Sequence, residues 1–360
     1  MLSRTKEDAC VFLDSNGLCR IHAKFGEAAK PFACRIFPFS VRPTLKGWQV
    51  SLRFDCPSVA SSKGKSVSQH ESGLRDLVRL LPAPLSISDD TAALQGNLEA
   101  TREETDGLMD RITRWVRDDR YSMAIRLVGL ARLTSTLSMA KLVNVRGSRF
   151  LDMLDLLFRV LPEEAKDLRE SSTPRMRGLF RQFCFAHVEH ATLEEARGGN
   201  WSKFKQRIRQ LRKARRFLKG RGDVPDLRGL AGEVVPAFAQ VEAIGIEEGS
   251  TEDVESLFQR YLLARLSGRE CFGDGFFGWP MVPGLAVTWL SVAAIGWLAR
   301  YSAASRGRTS ATFENFISAV GVVGRAIARL PAVGSPAERM RISYLLRDDG
   351  IARLVKDYAF

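Results

Sequence analysis

Residues 284–290, with the sequence Gly-Leu-Ala-Val-Thr-Trp-Leu, lie in a run of 25 uncharged residues between Asp274 and Arg300. After Pro283 only 16 of these residues remain, which form about 24 Å of helix, less than the ~30 Å hydrocarbon core of a bilayer. The run therefore predicts a buried central helix over 284–304. A membrane segment over 279–299 is the alternative, with Trp279 at one interface and Arg300 flanking the other end.

Working outward from this run, the apolar periodicity from Gly73 onward predicts a succession of amphipathic helices. Pro174 and Ser335-Pro336 are typical helix starts, and Gly220 and Gly268 are typical helix ends. The predicted helices cover 73–81, 90–118, 121–141, 148–160, 174–197, 201–219, 225–245, 252–267, 284–304, 309–330 and 336–357. No fixed-period repeat is visible, so a solenoid is not expected.

The 360 residues are 45% hydrophobic and 26% charged, which is typical of a soluble globular protein with more than one domain. A formal net charge of +13 indicates an anionic partner: nucleic acid, an anionic membrane surface or an acidic protein. Residues 1–8 carry charges where an export signal would be apolar, so we expect a cytoplasmic, reducing location.

Four of the six cysteines fall within the first 56 residues, with the spacing C-x8-C-x14-C-x21-C. Thiolates are the expected form in a reducing compartment, and four of them satisfy either tetrahedral zinc or an iron–sulfur cluster. Buried inert thiols and disulfides are the alternatives. The candidate metal ligands are Cys10, Cys19, Cys34 and Cys56, with His22 as an additional candidate.

The surroundings of these cysteines predict a small β-rich or irregular module over 1–57. Asp14-Ser15-Asn16-Gly17 is a turn signal that predicts a hairpin placing Cys10, Phe12, Cys19 and Ile21 on one face. The strict alternation from Trp48 to Asp55 predicts a half-buried strand. Residues 58–71 are rich in Ser, Lys and Gly and predict a linker, followed by a large all-α domain over 72–360. The predicted fold class is thus mainly α.

The order of motifs resembles the second half of the YkgJ-type cysteine-cluster domain, a zinc- or iron-chelating module. The matching stretches are Cys10-Val11-Phe12-Leu13, Gly17-Leu18-Cys19-Arg20-Ile21-His22, Lys30-Pro31 and Cys34-Arg35-Ile36-Phe37-Pro38. The resemblance implies a metal-binding protein with a 4Fe–4S cluster or zinc that presents its centre to a protein partner. The family's module normally opens with a C-x2-C-x2-CC-like motif, which is missing before Cys10, so the four cysteines could form only part of the family's site.

The layout also resembles flagellin lysine-N-methylase, in which a cysteine module is coupled to a large helical region. This resemblance implies a second hypothesis, an S-adenosylmethionine-dependent enzyme that methylates protein lysines. The sequence adds no catalytic motif of its own: it contains no P-loop, no G-x-G-x-x-G after a strand and no C-x3-C-x2-C.

Two other patterns are candidate sites. Cys184, His187 and His190 have helical spacing that allows a second metal site, but a buried cysteine with two surface or capping histidines is preferred, because no further ligand motif accompanies them. Residues Lys203 to Arg221 contain ten Lys or Arg and no acid, with Phe204, Ile208, Leu211 and Leu218 as an apolar stripe. This basic amphipathic helix predicts binding to an anionic partner, or a solvated helix face.

Overall fold

The computed structural model describes residues 10–44, 47–81, 91–188 and 200–360. These residues are mainly helical, which confirms the predicted helical character. The α-helices in the described ranges are α1 (Arg20–Phe25), α2 (Phe32–Ile36), α3 (Pro57–Ala60), α4 (Glu71–Arg79), α5 (Arg102–Val116), α6 (Met123–Met139), α7 (Ser148–Asp167), α8 (Pro174–Val188), α9 (Asn200–Lys219), α10 (Phe238–Ala243), α11 (Thr251–Ser267), α12 (Met281–Ala304), α13 (Phe313–Arg329), α14 (Pro336–Leu345) and α15 (Gly350–Tyr358).

The strands are few and short. They are β1 (Phe39–Thr44), β2 (Gly47–Leu52), β3 (Ala93–Gln95), β4 (Leu98–Glu99), β5 (Gly245–Ile246) and β6 (Ser310–Ala311), arranged as three two-stranded sheets. The predicted β module at the N-terminus is therefore not confirmed: its described residues form one hairpin, β1–β2, and short helices.

Helix α12 is the centre of the core. Every residue from Met281 to Ala304 except Pro283 is buried, and the helix packs against α6, α13 and α15. It is long and apolar enough to cross a membrane, yet 94% of its most apolar window is buried inside the protein. This burial agrees with the predicted central helix, which begins three residues earlier than expected, directly after Pro280.

Close backbone contacts hold α12 in place. A Cβ atom at Gly296 would lie 1.9 Å from the carbonyl oxygen of Tyr358, so only glycine permits the approach of α15. The guanidinium of Arg300 donates hydrogen bonds to the carbonyl oxygens of Ile244, Tyr358 and Phe360. Arg300 is thus a buried residue that fixes the C-terminal residues to α12, rather than the flank of a membrane span.

The predicted helix 90–118 is wrong in the described residues before Arg102. Residues 93–99 form the β3–β4 hairpin, with Gly96 at a φ of +55° in the turn. Helix α5 begins only after Thr101, whose hydroxyl accepts from the backbone N–H of Glu104 while the Glu104 carboxylate accepts from the N–H of Thr101. This reciprocal capping pair, Thr-x-x-Glu, is the physical reason for the later start.

Two further predicted helices are interrupted. Within 225–245 only α10 is helical, because Pro225 and Pro236 cannot donate the backbone hydrogen bonds that a helix requires. The helix predicted over 336–357 is divided into α14 and α15, since Asp348 and Asp349 adopt left-handed φ values of +52° and +54°.

The β1–β2 hairpin packs against the helical body. Phe39 pairs with Leu52 and Thr44 with Gly47, as the alternation of residues 48–55 partly predicted. The Ser51 hydroxyl donates to the Glu270 carboxylate at 2.9 Å, and the Gln49 side chain donates to the Ser267 carbonyl oxygen.

Behind the hairpin, Phe54 and Ala60 belong to the same hydrophobic core as α12. Arg260 of α11 donates to the carbonyl oxygens of Val59 and Ala60, both at 2.9 Å. The segment predicted as a linker therefore starts with residues that contact the helical body; the division into domains stays a prediction.

Candidate functional site

The four N-terminal cysteines lie at or near the starts of short helices or turns. Cys19 and Cys56 immediately precede α1 and α3, and Cys34 lies in the first turn of α2. The carbonyl oxygen of Cys10 accepts from the N–H of Leu13 at 3.1 Å. All four side chains are free thiols of intermediate exposure.

The predicted turn at Asn16-Gly17 is present, but the hairpin around it is reduced to a single antiparallel bridge. The Asp14 carboxylate accepts from the N–H groups of Asn16 and Leu18, both at 2.9 Å, and Gly17 has a φ of +77°. One isolated bridge, Leu13 with Cys19, follows, and the chain then becomes helical at Arg20. The prediction that Cys10, Phe12, Cys19 and Ile21 share one strand face is wrong, because Leu13 rather than Phe12 lies opposite Cys19 and Ile21 is already helical.

The structure does not bring the predicted ligands into a preformed metal site. Within 10–44, 47–81, 91–188 and 200–360, no three His, Cys, Asp or Glu side chains are grouped so that they could hold a metal ion. Cys10, Cys19, Cys34, Cys56 and His22 all lie inside these ranges. A metal centre formed by these residues would therefore need them to move together.

The segment that contains Cys10, Cys19 and Cys34 has no core of its own, whereas Cys56 lies beyond the hairpin, between the buried residues Phe54 and Ala60. The first buried residue along the described chain is Ser51, so no described residue from Cys10 to Val50 is buried. Leu18 and Phe25 are 63% and 65% exposed. We use the name cysteine segment for residues 10–38, which precede the hairpin.

Cys184 and His187 lie in the core, which corrects the expectation of a surface histidine. His187 is 1% exposed, and its Nδ1 atom is 2.8 Å from the carbonyl oxygen of Phe183 in the previous helical turn. Burial lowers the pKa of His187 to about 4, and burial raises the pKa of the Cys184 thiol. His190 is outside the described residues. Because both are buried in the core, we interpret Cys184 and His187 as structural residues.

The basic helix α9 is attached to the body by the face opposite its apolar stripe. Phe217 is fully buried, and its carbonyl oxygen accepts from Nε of Arg181 at 3.0 Å. The predicted apolar stripe faces solvent, since Phe204 is 54% and Leu211 is 65% exposed. Trp201 extends this stripe by one turn and is 76% exposed. The side chain of Lys203 is outside the described residues.

A cavity of about 340 Å³ lies between the hairpin and the helical body. Its wall includes three guanidinium groups, two carboxylates and one phenol: Arg42, Arg53, Arg265, Asp55, Glu270 and Tyr261. No local pattern indicated this cavity, because the hairpin residues and the body residues are more than two hundred positions apart in the sequence.

No protein-family model, no curated protein and no solved structure matches the chain. The resemblance to the YkgJ-type domain and to flagellin lysine-N-methylase therefore stays a prediction from the quoted motifs.

Proposed function

We propose that the protein binds a metal centre through Cys10, Cys19, Cys34 and Cys56, with an iron–sulfur cluster as the first candidate and zinc as the second. The observation that supports this proposal is the contrast between four accessible thiols and a cysteine segment without a buried side chain. Short segments bury too little apolar surface to be stable alone, and a structural metal commonly supplies the missing free energy.

Metal binding requires a rearrangement, because the described residues contain no preformed ligand cluster. The cysteine segment can rearrange at low cost: helices α1 and α2 contain six and five residues, and neither buries a side chain. Its turns can change without breaking the core around α12. We thus propose that the cysteine segment becomes ordered when its three thiolates, together with that of Cys56, bind metal.

The test is metal analysis of protein purified without oxygen. We expect close to one equivalent of zinc, or iron with matching acid-labile sulfide, per chain in the wild type. Cys19→Ser and Cys34→Ser should lose the metal, because a serine hydroxyl is a poor ligand for both metals. Cys184→Ser is the matched control and should keep it. Less than about a tenth of an equivalent of metal in folded wild-type protein would contradict the proposal.

The lysine N-methylase activity stays a prediction that rests on the resemblance alone. It predicts that the metal-loaded protein binds S-adenosylmethionine in calorimetry. It also predicts that the mass of a lysine-containing substrate protein increases by about 14 Da for each hydrogen replaced by a methyl group. Absence of S-adenosylmethionine binding by metal-loaded protein would remove this activity.

Helix α9 supports a second function, binding to an anionic membrane surface. With 3.6 residues per turn, Trp201, Phe204, Ile208, Leu211 and Leu218 fall on one side of the helix. Exposed basic residues flank this apolar side: Lys205, Arg207, Arg212, Arg216 and Lys219. An exposed apolar stripe beside a basic face is the arrangement of helices that lie in a membrane interface.

Vesicle co-sedimentation tests this second function. We expect binding to phosphatidylcholine vesicles with about 30% phosphatidylglycerol, weak binding to pure phosphatidylcholine, and a decrease as salt rises. Trp201→Ala with Phe204→Ala should reduce binding several-fold. The matched control is Met340→Ala, because Met340 is an equally exposed apolar residue elsewhere. Binding to duplex DNA without binding to anionic vesicles would contradict the membrane proposal.

A further inference from the structure

We propose that the cavity between the β1–β2 hairpin and the helical body binds a small organic carboxylate. This site is independent of the metal proposal, since no cysteine lines the cavity. At about 340 Å³ the cavity is at the lower end of the range for small-molecule sites, which is ~300–1,000 Å³.

Two buried donors in the cavity wall have no partner in the described protein. The Tyr261 hydroxyl and Nε of Arg265 make no hydrogen bond with any described residue, although Tyr261 is only 2% and Arg265 only 6% exposed. Arg265 already donates through Nη2 to the carbonyl oxygen of Glu270, and a guanidinium N–H can only donate, so its Nε–H still needs an acceptor. Buried polar groups are nearly always paired in native proteins. A ligand oxygen between these two groups would satisfy both.

The two carboxylates of the wall already have partners. Asp55 accepts from Arg53 in a bidentate pair, with distances of 3.1 Å to Nε and 2.5 Å to Nη2. Glu270 accepts from the Ser51 hydroxyl at 2.9 Å. The Arg265 guanidinium, by contrast, has no carboxylate partner among the described residues, so an anion is complementary to its charge.

The remainder of the wall favours an anion with an apolar body over an inorganic one. Phe54, Phe276 and Ile327 line the cavity, and the Arg265 guanidinium lies over the Phe276 ring, 5.2 Å from its centroid. The Tyr261 ring meets the Phe54 ring edge-on at 5.5 Å. Aromatic walls bury carbon atoms, whereas phosphate or sulfate would have only oxygen to present.

Calorimetry with three probes tests the ligand class. Benzoate combines a carboxylate with a small apolar ring, benzamide has the same shape without the charge, and inorganic phosphate has the charge without the ring. We expect benzoate to bind with a Kd in the millimolar range or below, and at least about tenfold more tightly than either other probe. No benzoate binding at about 10 mM, or equal binding of benzamide, would overturn the proposal.

Two variants locate the binding to this cavity. Tyr261→Phe removes only the unpartnered hydroxyl, so it should weaken benzoate binding about fivefold to tenfold without destabilising the free protein. Arg265→Lys keeps the charge but loses the guanidinium donors and should weaken binding at least as much. Tyr344→Phe, at a tyrosine outside the cavity, is the control and should bind normally. Unchanged benzoate affinity in both cavity variants would overturn the assignment.

Discussion

Helix α12 and the cysteine segment are opposite extremes of the same chain. In α12, 23 of 24 residues are buried, whereas in residues 10–38 no side chain is buried. The cysteines follow the same division: Cys184 and Cys271 are fully buried, while Cys10, Cys19, Cys34 and Cys56 are partly exposed. Burial also raises the pKa of Cys271 to about 12. Residues of one type thus have two roles, an apolar filler in the core and a candidate ligand outside it.

We expect the largest effect from a substitution at Gly296, the tightest contact of the core. Gly296→Leu places a side chain where the Tyr358 carbonyl oxygen lies, so α15 must separate from α12. We expect loss of folding, or a decrease of more than about 4 kcal/mol in the free energy of unfolding. Urea denaturation followed by circular dichroism measures this change. Gly73→Ala is the control, since a Cβ atom there meets nothing within 4 Å; a similar loss in the control would contradict the packing argument.

The next largest effect concerns helix α9, in which buried Phe217 contrasts with exposed Leu211. Phe217→Ala removes a fully buried ring and should cost about 3–5 kcal/mol, whereas Leu211→Ala on the exposed stripe should change the free energy of unfolding by less than ~0.5 kcal/mol. Both values come from the same urea experiment. Equal costs for the two variants would contradict the attachment of the helix through Phe217.

The pH dependence of stability tests the burial of His187 in the core. His187 has its pKa lowered to about 4 mainly by burial, with the positive charges of Arg341 and Arg265 adding to the effect. Between pH 6.5 and 4 the His187 imidazole is therefore protonated in the unfolded chain and neutral in the folded protein. The free energy of unfolding decreases as pH falls through this window. The loss is roughly 3 kcal/mol.

Substitution separates this contribution from other titrating groups. In His187→Gln the free energy of unfolding should depend less steeply on pH between 6.5 and 4 than in the wild type. An unchanged slope in the His187 variant would show that this imidazole is not held neutral by the core.

Thiol modification has the smallest structural effect, and it distinguishes the accessible cysteines from the buried ones directly. In metal-free folded protein, iodoacetamide should modify Cys10, Cys19, Cys34 and Cys56 within minutes and leave Cys184 and Cys271 intact, because only exposed thiolates react. Peptide mass spectrometry measures each site. Modification of Cys271 as fast as Cys34 would contradict the division of cysteines.

Local chemistry predicts the helical body well and the interactions between distant residues poorly. Pro174, Ser335-Pro336, Gly220 and Gly268 mark helix ends where expected because their backbone preferences act within one turn. The Thr101–Glu104 pair shows the same local chemistry, and reading it as a helix start would have placed the start of α5 correctly. Asp348 and Asp349, by contrast, adopt left-handed backbone without a glycine to indicate it.

The candidate sites depend on tertiary contacts to different degrees. The cysteine spacing is visible in the sequence, but whether four thiols meet depends on the path of the chain between them. The cavity needs Arg42 and Asp55 to meet Tyr261 and Arg265, which only the docking of the hairpin produces. The exposed stripe of α9 was predicted as an amphipathic pattern, but periodicity alone does not reveal which face is buried.

Hydrogen–deuterium exchange with and without metal is the most direct test of the central claim, that metal orders the cysteine segment. Metal-free protein is reconstituted with zinc, and separately with iron and sulfide, and exchange is followed by mass spectrometry of peptides covering 10–38 and 281–304. We expect exchange in 10–38 to slow at least about tenfold with one of the metals, while α12 exchanges equally slowly in all samples. Equal exchange in 10–38 with and without either metal, in protein whose α12 is protected, would contradict the account.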